Sequence, residues 1–117
     1  MKIVYREQLP ESYLLVVGPG TVGEPEEALA HWLNCARTSG KPAVWVDCGM
    51  LNTLSEEAAT LLLASHYQLQ QAHARLVLVH VPQRVINELL ERAPGAAPCI
   101  VPTLLDAALQ APWPEAA

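Results

Sequence analysis

Two hydroxyls and two carboxylates, Thr53, Ser55, Glu56 and Glu57, stand directly before the apolar run Ala58-Ala59-Thr60-Leu61-Leu62-Leu63-Ala64. Side chains of these types at the start of a helix suit one kind of chemistry, the holding of negative charge. The first helical turn leaves backbone N–H groups without partners, and these favour a carboxylate or a phosphate on a nearby hydroxyl. Ser55 therefore has two readings. As an N-cap its oxygen accepts one of those N–H groups, a role worth about 1 kcal/mol. As a phosphoacceptor it gains a near-dianion beside Glu56 and Glu57. Thr53 competes for the cap through the box Thr53-Leu54-Ser55-Glu56 and is the second candidate acceptor.

Other groups capable of chemistry do not converge. His31 and Cys35 lie four apart on one expected helix, but two ligands make no metal site. His66, His73 and His80 have no Ser or Cys nucleophile with a recognisable elbow or partner spacing. Gly18-Pro19-Gly20-Thr21-Val22-Gly23 follows a strand yet lacks both the Lys-Ser/Thr ending of a P-loop and the GxGxxG spacing. Cys35, Cys48 and Cys99 are odd in number, far apart and without a CxxC pair, which suits reduced core residues rather than a disulfide framework or zinc motif. No metal and no cofactor is expected.

The elements that must position the Thr53 to Glu57 stretch alternate along the chain. Lys2 to Arg6 and Tyr13 to Val17 read as strands joined by the turn formers Leu9-Pro10-Glu11-Ser12. Pro25 stands at a first helical position, and Leu29, Trp32, Leu33 and Ala36 form the stripe of a core-facing helix that Gly40 closes in a left-handed cap. Ala43 to Cys48 is apolar with little alternation, as in a strand covered on both faces. The next helix runs from Ser55 to about Gln71. Arg75 to Val81 is a second apolar strand, and Pro82 opens a short helix through Val85, Ile86, Leu89 and Leu90 that Pro94-Gly95 closes. Cys99 to Val101 is a last strand, and Thr103 with Asp106 starts a final helix through Leu104, Leu105, Ala108 and Leu109. This order predicts an α/β fold: one mixed, mostly parallel sheet of about five strands with about four helices, opened by an antiparallel pair.

A chain of 117 residues, 51% of them hydrophobic, fits one domain over residues 1–110, with a short tail over residues 111–117. Its net charge of −5 and its scattered Lys and Arg residues disfavour nucleic acid as a partner. The opening MKIVYREQLP is too short and too charged for a signal segment, and no apolar run reaches membrane-spanning length, so no membrane insertion is expected and the cytoplasm is the default location. Trp32 and Trp45 read as core aromatics. Trp113, between two prolines, must fold back or meet a partner. Leu61-Leu62-Leu63 with its flanking alanines is more apolar than one buried face requires, which suits either deep packing or contact with another chain, a homodimer included.

In this order of elements, and in the segments AVWVDCGMLNTLSEEAATLLLA, RLVLVHVPQRVINELLE and CIVPTLLDAAL, the chain resembles the STAS domain, the fold of bacterial anti-sigma factor antagonists. The resemblance runs from about Tyr13 to Leu109. In that family a strand ending in Asp leads to an Asp-Ser-(Ser/Thr)-Gly-Leu motif that opens the second helix. Asp47 matches the strand-end Asp. The motif is degenerate: Ser55 falls at its Asp, Glu56 at the phosphorylatable Ser, Glu57 at the next hydroxyl residue and Ala58 at the Gly. Glu56 cannot be phosphorylated, and one carboxylate carries less charge than phosphoserine.

The resemblance implies a non-enzymatic regulatory protein like an anti-anti-sigma factor, working by protein–protein interaction through partner switching with an anti-sigma kinase of the GHKL type, without the usual serine switch. The implied contact surface comprises Thr21 on the Gly18 to Pro25 loop, with Asn52, Thr53, Ser55, Glu56, Glu57 and Ala59. Any surviving phosphorylation falls to Ser55 or Thr53. Two other roles on the same fold stay open: a structural STAS subunit of a phospholipid-transport ABC complex, and a module binding a nucleotide or other small ligand.

Overall fold

A ribbon opens the chain. Strands β1 (Lys2–Gln8) and β2 (Ser12–Gly18) run antiparallel around a tight connection closed by the Leu9 N–H on the Ser12 carbonyl at 2.8 Å. Register slips by one residue between Ile3 and Tyr5, so Val4 is the extra residue of a bulge. The computed structural model describes residues 1–21, 23–93 and 97–109; the expected Pro94-Gly95 stop and the tail with Trp113 lie outside them.

From β2 onward the sheet is parallel. After α1 (Glu27–Thr38) comes β3 (Ala43–Asp47), after α2 (Glu56–Gln71) comes β4 (Arg75–Val79), and after α3 (Gln83–Arg92) comes β5 (Cys99–Val101), with α4 (Leu104–Leu109) last. The spatial order is β1-β2-β3-β4-β5. Ala43 pairs with Ser12 on one side and Arg75 on the other, and Val77 pairs with Cys99, which aligns the carboxyl ends of the strands. The expected mixed five-stranded α/β sheet with four helices is the architecture observed.

The two faces of the sheet are covered unequally. Leu15, Val17, Val44, Val46, Leu76 and Leu78 point to the side where α1, α2 and α3 contribute Leu29, Leu33, Leu62, Leu69, Val85 and Leu89. The alternate residues Val77, Val79 and Val101 meet α4 through Ala107, with Trp45 and Leu104 at the edge. Strands covered on both faces need near-continuous apolar sequence, which is why VWV and LVLV carry so little alternation. Cys48 is fully buried, and burial, with the Asp47 charge beside it, pushes its thiol up to about 12, so it stays a protonated core side chain.

Several expected boundaries move for local reasons. Helix α1 begins at Glu27 rather than Pro25, because Glu26 takes a non-helical φ of −89° while its carbonyl accepts the Ala30 N–H. Strand β4 ends at Val79 rather than Val81, because His80 turns into the left-handed region at φ 55°. Gly40 holds its expected positive φ of 81°. Trp32 and Trp45 are half-buried at the margins rather than central, and Arg6 lies 4.0 Å over the Trp32 ring. On α2, Leu62 is fully buried while Leu61 and Leu63 pack at its flanks and Tyr67 stands outside.

That rotation of α2 is testable. Leu62→Ala is expected to cost about 2–5 kcal/mol, whereas Tyr67→Ala stays within about 0.5 kcal/mol, both read from urea unfolding midpoints. Equal losses at the two positions would contradict the observed face.

Candidate functional site

Eight residues, Cys48 to Ser55, carry the chain from the end of β3 into α2. Leu51 and Leu54 are buried and anchor this loop from beneath, which leaves Asn52 and Thr53 exposed between them. Ser55 settles the competition for the cap: its backbone is extended and its Oγ accepts the Ala58 N–H at 3.1 Å.

The Ser55 hydroxyl proton goes elsewhere. It is donated to Glu26 Oε2 at 2.6 Å, and Glu26 Oε1 accepts the Met1 ammonium at 2.6 Å. Glu26 is only 5% exposed. Burial by itself would raise its pKa, but the hydrogen bonds from the Met1 ammonium and the Ser55 hydroxyl, with the ammonium's charge, outweigh it and hold the carboxyl below its ordinary value of 4.5. One carboxylate thus ties the start of α1 to the start of α2.

A second carboxylate holds the same loop from the other side. Glu88 on α3 accepts the Thr53 hydroxyl at 2.8 Å and the Leu54 N–H at 2.8 Å. The Thr53 hydrogen bond first, then the Leu54 N–H, lowers the pKa of Glu88, helped by the charges of Arg84 and Arg92. Arg92 also reaches Glu56 at 3.0 Å. Helix α3 therefore straps both the loop and the first turn of α2, although that last pair is exposed and contributes little to stability.

These contacts gather most of the expected residues. Thr21, Thr53 and Ser55 line one cavity of about 240 Å³ with Glu24, Glu26 and Leu51. Thr21 donates its N–H to Glu24 at 3.2 Å, which folds the loop before α1 over the cavity. Asn52, Glu56 and Glu57 are exposed around it. Ala59 is not: at 1% exposure it packs into the core beside Ala58 and Leu62, a correction to its place on the contact surface. Among the described residues no group of three or more His, Cys, Asp or Glu side chains could hold a metal, and His31 and Cys35 make only their own contact at 3.7 Å.

The arrangement has known counterparts. A Thermotoga maritima protein described as a candidate anti-sigma factor antagonist superposes with a TM-score of 0.79 at 10% identity, over 92% of both chains. A form of RsbS from Moorella thermoacetica carrying a serine-to-glutamate substitution gives 0.73 at 15% identity, over 89% of this chain and 92% of that one. The anti-sigma factor antagonist SpoIIAA in its unphosphorylated form gives 0.70 at 12%, over 90% and 91%. This chain has the STAS fold. No protein-family model and no curated sequence matches it. In STAS terms, the loop that opens α2 is here held between two carboxylates from α1 and α3. Neither Glu26 nor Glu88 stood out in the sequence as a partner of that loop, since they lie 29 and 35 positions from the hydroxyls they bind.

The Glu26 link predicts a double-mutant cycle. Ser55→Ala and Glu26→Gln are expected to couple by about 0.5–3 kcal/mol in unfolding free energy. Because the folded pKa of Glu26 is depressed, its stabilisation is full above the unfolded value near 4.5 and is lost as pH falls through the lower folded value. Glu26→Gln should flatten the acid limb of the stability curve, and a limb parallel to wild type would refute the assignment. For the other side of the loop, Glu88→Gln should speed hydrogen exchange at the Leu54 amide while leaving the amides of β3 unchanged.

Proposed function

We propose that this chain is a non-enzymatic regulatory binding protein of the anti-sigma factor antagonist type, which binds an anti-sigma kinase of the GHKL class and lacks the serine switch. The fold of its structural neighbours supports the class. The observation that carries the finer reading is the state of the first turn of α2. Ser55 spends its hydroxyl proton on a buried carboxylate, while Glu56, at the position where the resemblance puts the phosphorylatable serine, has its side chain 80% exposed.

A fixed carboxylate there gives the partner one permanent surface to read. Phosphorylation of Ser55 would set a near-dianion against Glu26 and forfeit the hydrogen bond that joins α1 to α2, so the fold resists that modification. Thr53 is the more accessible hydroxyl, and a phosphate on it would displace Glu88. The contact surface on this reading is Thr21, Asn52, Thr53, Glu56 and Glu57, with Ser55 beneath them as a positioning residue.

The test is affinity capture from the native lysate with wild type and Glu56→Ser as parallel baits. A GHKL-type kinase is expected on both. On adding ATP, Glu56→Ser should be phosphorylated and released while wild type stays bound. A transport ATPase on both baits, with no kinase, would move the assignment to a structural subunit.

A further inference from the structure

At the carboxyl end of β4, on the far side of the loop from Glu26, a histidine is held in a geometry that packing does not require. His80 takes a left-handed backbone at φ 55°, and its amide donates to the Pro102 carbonyl at 3.3 Å. Its Nδ1 lies 3.0 Å from Asp47 Oδ2, and Asp47 Oδ1 accepts the Gly49 N–H at 2.9 Å. A Cβ on Gly49 would stand 3.2 Å from both Asp47 Oδ1 and His80 Cβ, so the glycine lets the backbone close over the pair.

The hydrogen bond fixes the tautomer. A carboxylate only accepts, so the proton of the neutral ring sits on Nδ1 and the lone pair sits on Nε2. No hydrogen bond reaches Nε2 among the described residues, and the His80 side chain is 41% exposed against 17% for Asp47. The ring thus presents its nucleophilic nitrogen to solvent with a countercharge fixed behind it, the arrangement by which a positioned carboxylate activates a histidine.

The surroundings suit an anion on that nitrogen. His80 opens onto a cleft of about 220 Å³ whose walls include Val81, Ile86, Ile100 and Pro102. Helix α3 begins three residues further on at Gln83, with no side-chain cap and no acidic residue in its first turn, and Arg84 in that turn is exposed. Its free N–H groups and the guanidinium favour negative charge near the start of the helix.

We propose that His80 is a phosphoacceptor, its Nε2 taking a phosphoryl group from an N–P or acyl-phosphate donor. With phosphoramidate as donor, the Nε2 lone pair forms a bond to phosphorus, the donor's P–N bond breaks, and ammonia leaves with that electron pair. The ring keeps its Nδ1 proton, and the positive charge it acquires faces Asp47. Nothing is oxidised or reduced. The proposal goes beyond the regulatory reading and does not depend on it, because the site, the reaction and the measurement involve no protein partner.

The experiment treats the full chain with phosphoramidate, quenches in alkali, and follows phosphohistidine by peptide mass spectrometry and phosphorus NMR. His80 should label first, ahead of the exposed His31 and His73 in the same chain, as an acid-labile Nε2 adduct. Asp47→Asn should slow that labelling roughly 10–100-fold, as loss of a histidine's orienting carboxylate does elsewhere, while leaving His31 unchanged. His80→Asn should lose the fast site and keep its fold, since Asn tolerates the left-handed backbone. Labelling of His80 no faster than His31 and His73, or an Asp47→Asn rate equal to wild type, would overturn the proposal.

Discussion

The Glu26 carboxylate, buried between the Met1 ammonium and the Ser55 hydroxyl, is the constraint on which the candidate site depends. A carboxylate this far from water must be paired and hydrogen-bonded, and removing one partner of a buried pair typically costs about 3–5 kcal/mol. Glu26 meets that demand by joining three pieces of chain: the entry to β1, the start of α1 and the start of α2. Ser55 is thereby committed twice, accepting from the Ala58 N–H and donating to Glu26. The position of α2's first turn, and so of Glu56 and Glu57, follows from that commitment.

Glu88 plays the complementary part from α3. Exposed where Glu26 is buried, it acts through geometry more than through charge, taking a hydroxyl and an amide from adjacent residues of one loop. The loop is therefore clamped between two helices while its floor, Leu51 and Leu54, is held by the core. A surface meant to be read by another protein gains from such rigidity, because less conformational entropy is lost on binding. The same sheet end carries the Asp47 and His80 pair, oriented by the Gly49 backbone. Parallel strands with aligned carboxyl ends bring these loops together, as open α/β sheets do in general.

Most of the fold was legible in the sequence because its signals are local. The apolar runs Ala43 to Cys48 and Arg75 to Val79 require strands buried on both faces, and the stripe Leu29, Trp32, Leu33 and Ala36 requires a helix facing them. Ser55 as N-cap, the Thr103 and Asp106 box and the left-handed Gly40 were equally readable, since each depends on residues no more than a turn away. The misplacements share one cause. Glu26 looked like an ordinary first-turn carboxylate, Ala59 like a surface neighbour of Glu57, and His80 like a strand residue; each was decided by a contact with a distant element.

The sequence by itself determined the elements, their alternation and the acidic start of α2, because helix and strand periodicity and capping are set by near neighbours. Only the tertiary structure decided which carboxylates meet which hydroxyls and which imidazole nitrogen is left open. Those pairings span 29 to 35 positions, and no local rule links residues so far apart until the sheet has brought the ends of its strands together.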